Sequence, residues 1–529
     1  MKFSHRFWAA ALSLALLGSA FFYPIHADAA KKKRGPTAAE IAAAEQAEQE
    51  RQDAYNKAID SNQIEGWPQG PQIYAESAIV IEADTGAVLY NKDMDMRNYP
   101  ASITKIMTAL VTLEHCSLDE VVTYSYYATH SIEAGSSSIG RTDDEQLTVE
   151  ESLYGLLLES ANECGNALAE HVAGSVEAFA DLMNQKAEEL GCTNTHFVNP
   201  HGLHDENHYT SAHDMALIMK AAIQNENFVR ISGTPNFELH PTNKHDEITY
   251  MKNHHYMIGP YKGITKYLDD TVIAGKTGGT SAAKRTLVTA AERGGMTLIV
   301  VTMRTGADPS GELGLPLFPD TALLLNYASE NFSKINVAAN ETNFSVNSSG
   351  FFHTGSAIFG QMDPLIEINK NDYIVLPNDI PFTEASPELT FQSEEDSETI
   401  ATLAYTWQGQ PVGSASIQLA QSKIPAFSFD RETGDPESPD VESSPESQPK
   451  KFIQINVRLV LTGILIAAAV VLLCILFQKL SKQWDLMGKL RRFRLSKRRK
   501  RKKRRRVTPR NRYQRTPKKR NSPYSDLDL

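Results

Sequence analysis

Pro100-Ala101-Ser102-Ile103-Thr104-Lys105 is the stretch from which the rest of the chain is read. Pro100 is a helix-start signal, and Ile103, Ile106, Met107, Leu110 and Val111 follow at helical spacing, so Ser102 and Lys105 stand side by side on a first turn. A serine hydroxyl is a weak nucleophile until a base takes its proton. Lys105 serves as that base only if burial and a second cation lower its pKa from about 10.4 towards neutrality, a shift worth roughly 4 kcal/mol. Ser281-Ala282-Ala283-Lys284 has the same spacing, but it lies in a loop-to-strand stretch where i and i+3 point to opposite sides.

Two further motifs supply partners. Thr148 and Glu151 make a capping-box pattern for a helix carrying Leu153, Leu156 and Leu157, which ends at Ser160-Ala161-Asn162. S-x-N recurs at Ser329 and Ser345, but the copy at Ser160 sits between two apolar helices. There the Ser160 hydroxyl can relay a proton and the Asn162 amide can hold a substrate amide. Lys276-Thr277-Gly278 occurs once, at a strand end and before Gly279-Thr280. A lysine there provides the second cation, and the glycines let a substrate backbone lie against the strand edge.

S-x-x-K, S-x-N and K-T-G in this order are the signature of penicillin-recognising serine enzymes. Within that group, Pro100 through Thr108, Asn199-Pro200-His201-Gly202-Leu203 and Tyr209 through Ala216 resemble the serine D-alanyl-D-alanine carboxypeptidases, the low-molecular-mass penicillin-binding proteins. The resemblance covers about Ile73 to Phe332. It implies that Ser102 attacks the carbonyl between two terminal D-Ala residues of a peptidoglycan stem peptide, Lys105 takes the proton, and Ser160 relays it to the departing D-Ala. It also implies an oxyanion hole from the N–H groups of Ser102 and Gly279, worth about 3 to 4 kcal/mol per donor. Asn162, Lys276, Thr277, Gly278, Gly279 and Thr280 would line the substrate, β-lactams would trap the acyl-enzyme, and no cofactor is implied. The family often holds the substrate carboxylate with a basic residue beyond the K-T-G strand. Gly306 to Asp320 contains none, which leaves Arg304, or Thr277 with Thr280, as candidates.

Working outward, Ala78-Ile79-Val80-Ile81 and Val88-Leu89-Tyr90 flank Ala83-Asp84-Thr85-Gly86, a hairpin signal. Strand patterns return at Thr271–Lys276, Thr286–Ala290 and Met296–Met303, and Asp320 is placed to cap a helix running to about Phe332. Residues 73–334 therefore read as an α+β catalytic domain, an antiparallel sheet closed by its first and last segments against a helical region, of serine β-lactamase/transpeptidase type by resemblance. Residues 335–429 read as a small all-β domain similar to the family's C-terminal domain. Residues 30–72 form an Ala/Glu-rich solvated helix or spacer, and residues 430–451 a disordered acidic Pro/Ser stalk of about 70 Å when extended.

The net charge of −11 over 529 residues averages two regions. Residues 478–529 hold 22 Lys and Arg against three Asp, and the remainder holds 31 basic and 61 acidic residues. Residues 1–29 carry a basic start, an apolar run and Ala27-Asp28-Ala29, a signal-peptide pattern. Residues 459–477 are an uncharged apolar stretch spanning roughly 28 Å as a helix, long enough to cross a bilayer once. The basic residues beyond it place residues 478–529 in the cytoplasm and the acidic bulk outside a bacterial cell membrane. That tail suits anionic lipid or a cytoplasmic partner better than nucleic acid.

His201, His204, His208 and Asp205 raise a metal reading, but Gly202 and the polar surroundings make a loop there, and no metal is expected. Cys116, Cys164 and Cys192 face the oxidising side and fit either one disulfide or small buried thiols. Two rival functions remain. A β-lactamase shares the motifs, although the deacylating E-x-x-L-N pattern is not found; a noncatalytic wall-binding receptor would use the stalk, anchor and tail to carry a signal.

Overall fold

Helix α1 (Ala38–Asn56) precedes a hairpin of β1 (Ser77–Glu82) and β2 (Val88–Lys92), turned by Gly86 at φ +74°. A helical region follows: α2 (Lys105–His115), β3 (Val121–Thr123), α3 (Tyr126–His130), β4 (Gln146–Thr148), α4 (Val149–Leu158), α5 (Asn162–Ala173), α6 (Val176–Glu189), α7 (Ala212–Ala222) and α8 (Glu226–Ser232). After a ribbon of β5 (Asn236–Leu239) and β6 (Thr249–Lys252) come the long strands β7 (Val272–Thr280), β8 (Lys284–Arg293) and β9 (Met296–Thr305), then α9 (Leu317–Asn331). The last part comprises β10 (Phe332–Asn336), α10 (Val337–Asn340), β11 (Ile366–Ile368), β12 (Tyr373–Pro377), β13 (Ser386–Phe391), β14 (Thr399–Trp407) and β15 (Gln410–Leu419). The computed structural model describes residues 37–306, 315–342, 366–391 and 399–419. The expected signal peptide, stalk, span and tail lie outside the described residues, among which no helix is long and apolar enough to cross a membrane.

The main sheet runs β2-β1-β9-β8-β7, antiparallel throughout, so β1 pairs with β9 and the first and last segments of the α+β unit close it. Both faces are covered. Side chains alternate across a strand: Ile79 and Ile81 of β1, with Ile299, Val301 and Met303 of β9, join α2, α4, α5 and α7 in one core. Ala78, Val80, Leu298 and Val300 face the other way, onto Leu317, Phe318, Leu324 and Leu325 of α9. Each Ile, Leu, Val or Phe so buried contributes about 1.5–3 kcal/mol relative to exposure. The second sheet, β10-β12-β15-β14-β13 with β11 on β15, is all-β as expected.

Three local expectations change. Residues 38–56 do form a helix, but Arg51 and Ala54 near its end are buried, and buried Lys92 donates to Ala54 O and Ile73 O at 2.8 Å each, docking the segment on the body. Asp320 does not cap α9, whose N-cap position is Pro316. Its buried carboxylate instead accepts from Tyr74 N at 2.9 Å and Ala75 N at 3.1 Å, fixing the approach to β1. The K-T-G strand continues to Thr280, because β8 pairs with it through Gly278, Gly279 and Thr280.

Candidate active site

Ser102 stands on a tight turn, Ala101–Thr104, that runs directly into α2 at Lys105. Ala101 holds φ +51° and Ser160 φ +60°, conformations that cost a non-glycine residue about 1–3 kcal/mol each. The Asn199-Pro200-His201-Gly202 turn braces the Ser102 turn from behind. Gly202 lies at φ +84°, and a Cβ on it would stand 1.8 Å from Ala101 O, so no side chain fits there. Thr108 Oγ1 donates to Pro200 O at 2.5 Å.

Lys105 is fully buried, and its Nζ contacts three oxygens: Ser102 Oγ at 3.1 Å, Asn162 Oδ1 at 2.8 Å and His201 O at 2.7 Å. Burial first, and then the Lys276 charge, holds its pKa well below the usual lysine value. Lys276 lies on β7, itself brought to about 7 by burial, with Glu159 pulling the other way. Ser160 Oγ is buried and makes no hydrogen bond among the described residues. Asn162 is further held by Ser136, whose Oγ accepts from Nδ2 at 3.1 Å, and by Ser137 O, which accepts from its N–H at 2.9 Å.

The β7 edge closes the other side. A Cβ on Gly278 would meet Thr286 Oγ1 at 2.3 Å and Ser102 N and Pro100 O at 3.0 Å, so glycine permits the close approach of the strand to the nucleophile's turn. Thr286 Oγ1 donates to Pro100 O at 3.0 Å across that seam. Ser102, Ser160, Asn162, Thr277, Gly278, Gly279 and Thr280 all line one cavity of about 910 Å³, and Lys105 and Lys276 lie buried beside it. Thr280 Oγ1 already accepts from Ala283 N at 3.0 Å, holding the β7–β8 turn that contains the Ser281–Lys284 decoy. Arg304 reaches the cavity, but its Nε donates to Glu76 Oε2 at 2.9 Å.

The region's histidines serve as buttresses. His208 is buried, brought down to about 3 by burial, and takes Val198 N–H on Nδ1 at 3.1 Å while its Nε2 meets Thr104 Oγ1 at 2.8 Å. His204 packs edge-on against Tyr99. Cys116, Cys164 and Cys192 are free thiols, with Cys164 buried.

Residues 65–307 match the family described as D-alanyl-D-alanine carboxypeptidase, peptidase S11. D-alanyl-D-alanine carboxypeptidase DacB2 of Mycobacterium tuberculosis is 34% identical over 238 residues, 45% of this chain and 76% of that protein. The chain belongs to this family. D-alanyl-D-alanine carboxypeptidase DacF of Bacillus subtilis is 39% identical over 229 residues, 43% of this chain, and the match spans only 56% of that carboxypeptidase. The crystal structure of penicillin-binding protein 5 from Haemophilus influenzae shares the fold, with a TM-score of 0.51 and 26% identity over 66% of this chain and 98% of that one.

Two residues of this carboxypeptidase-family site escaped sequence reasoning. Glu163, next after the S-x-N motif, is buried and takes three donors on Oε1, from Ser138 Oγ, Ile139 N and Gly140 N, pinning the chain directly after the cavity-lining residues Ser136 and Ser137. Arg285 lies opposite Gly279 in the β7–β8 register and lines the cavity. A count of nine residues from Lys276 around a short turn was the available signal for it.

Proposed function

We propose that the protein is a membrane-anchored, extracytoplasmic serine carboxypeptidase that removes the terminal D-Ala of peptidoglycan stem peptides and is acylated by β-lactams. The observation that carries this reading is the placing of Lys105. Its Nζ lies 3.1 Å from Ser102 Oγ and is fixed there by Asn162 Oδ1 and His201 O. Burial and the neighbouring Lys276 hold its pKa well below the usual lysine value, which favours the neutral amine that general-base catalysis needs.

The reaction follows from the arrangement. Lys105 takes the hydroxyl proton as Ser102 Oγ bonds to the carbonyl carbon between the two D-Ala residues. The developing oxyanion takes the backbone N–H groups of Ser102 and Gly279. Ser160, which makes no other hydrogen bond among the described residues and lines the cavity, relays the proton from Lys105 to the departing nitrogen as the C–N bond breaks, which returns Lys105 to the neutral amine. Water then adds to the ester with Lys105 again as base, and Ser102 recovers its proton. Cations at the Thr280 end of the cleft favour a peptide that presents its C-terminal carboxylate there. The anchor is supported by the 19-residue apolar stretch 459–477 and the basic tail after it.

Mass spectrometry of the full-length protein with benzylpenicillin and with a D-Ala-D-Ala peptide tests this. A Ser102 adduct with release of D-Ala is expected; absence of both sinks the reading, and rapid penicillin turnover in place of a lasting adduct makes the protein a β-lactamase.

A further inference from the structure

Far from the cleft, three side chains of metal-ligating type converge: Cys116, Glu120 and His171, whose Sγ, carboxylate oxygen and imidazole nitrogen all lie within 4.8 Å of one another. They come from separate pieces of the fold. Cys116 is the C-cap of α2, Glu120 directly precedes β3, and His171 lies in the last turn of α5. His171 Nε2 and Glu120 Oε2 are 3.1 Å apart, with side-chain exposures of 24% and 44%, so the cluster opens to solvent on one side. Glu120 is positioned by Ser117, whose N–H donates to Oε1 at 2.7 Å, leaving Oε2 turned to the histidine.

We propose that Cys116, Glu120 and His171 form a zinc-binding site that clips together the trailing ends of α2 and α5. The donor set of one thiolate, one imidazole and one carboxylate is of the kind zinc takes, with water in the open fourth position. Tetrahedral zinc with bonds of about 2.0–2.3 Å sets its ligands about 3.3–3.8 Å apart. The histidine and glutamate, 3.1 Å apart, need to part by only a few tenths of an ångström, and Cys116 Sγ stands within 4.8 Å of both. Two helix C-termini meet here, and their carbonyl ends favour a cation. Binding displaces the thiol proton to solvent, and the resulting thiolate is held by the metal.

The clip also has a location. The leading end of α2 carries Lys105 and that of α5 carries Asn162, the pair joined at 2.8 Å in the active site. A metal at the other ends holds the same two helices roughly 14–16 Å away, at 1.5 Å per residue, and fixes their mutual register without touching the reaction.

Full-length protein stripped with a chelator is titrated with Zn²⁺ alone, and in parallel with Co²⁺ as a spectroscopic probe. One zinc per chain and a thiolate-to-cobalt charge-transfer band are expected. Cys116→Ser should abolish the band, and Cys116→Ser with His171→Ala should abolish stoichiometric zinc while Ser102 is still acylated by penicillin. Zinc should also protect Cys116 of the unaltered protein from a maleimide, a readout independent of how the variants fold. Absence of binding, full binding in the double variant, a cobalt complex lacking thiolate, or unprotected Cys116 at saturating zinc each overturns the proposal.

Discussion

Lys105 Nζ lies 2.8 Å from Asn162 Oδ1, so the amide of the S-x-N motif orients the base of the S-x-x-K motif. Replacing that acceptor by a carboxylate tests the pairing. Asn162→Asp places a negative charge on the amine, favours its ammonium form and raises its pKa. Penicillin acylation should fall at least about tenfold at pH 7, the equivalent of one pKa unit, and recover as the pH rises; an unchanged pH profile would refute the assignment.

Lys276 lowers the Lys105 pKa after burial has done so. With Lys276→Ala that repulsion disappears and Lys105 holds its proton more tightly. The rising limb of acylation against pH should move upward by about one unit, apart from any loss of substrate affinity. A limb that stays in place or moves down would show that burial alone sets the base.

The carboxylate anchor divides Arg285 from Arg304. Arg304 Nε donates to Glu76 at 2.9 Å; Arg285 lines the cavity opposite Gly279, at the Thr280 end of the cleft. Arg285→Ala should raise KM for a D-Ala-D-Ala peptide about 10-fold or more, the cost of a charge-assisted hydrogen bond, and leave a C-terminally amidated peptide unaffected. Arg304→Ala should change the two substrates alike. The opposite ranking in steady-state assays would hand the role to Arg304.

Gly202→Ala places a Cβ 1.8 Å from Ala101 O at a backbone φ of +84°. The turn carrying Ser102 must move or the fold must yield. Loss of a few kcal/mol of stability, with acylation reduced in the protein that still folds, is expected in denaturant melts and adduct kinetics.

Asp320 has its carboxyl raised to about 7 by burial, against the hydrogen bonds from Tyr74 and Ala75. Between the unfolded value near 3.8 and that folded value, the unfolded chain has lost the proton and the native one retains it, so stability falls as pH rises through this window. Asp320→Asn removes the ionisation and should flatten Tm across it. An equally steep decline in the variant would assign the effect elsewhere.

The site was legible where chemistry is written into short spacings. Ser102 and Lys105 are three residues apart on one turn, Ser160 and Asn162 two apart at a helix junction, and K-T-G is contiguous. The α+β order was legible because β1 and β7–β9 alternate or run apolar while the middle repeats at helical period. What stayed hidden depends on partners far away in the chain. Asp320 is a sound N-cap by local rule, yet its acceptors are taken by Tyr74 and Ala75, 246 and 245 positions earlier. Arg285 acquires meaning only through the register of β8 on β7. The contact of Asn162 with Lys105 needs two helices to converge, which no spacing encodes.

Trp67, ahead of β1, stacks on Trp407 at 5.6 Å and meets Phe332 at 5.4 Å, so the segment leading into the catalytic sheet and the sheet leading out of it share one aromatic contact. The cleft edge between Ser102 and Gly278 lies outside this joint, so small shifts of the second sheet are felt first at the aromatic contact and not in the catalytic spacing.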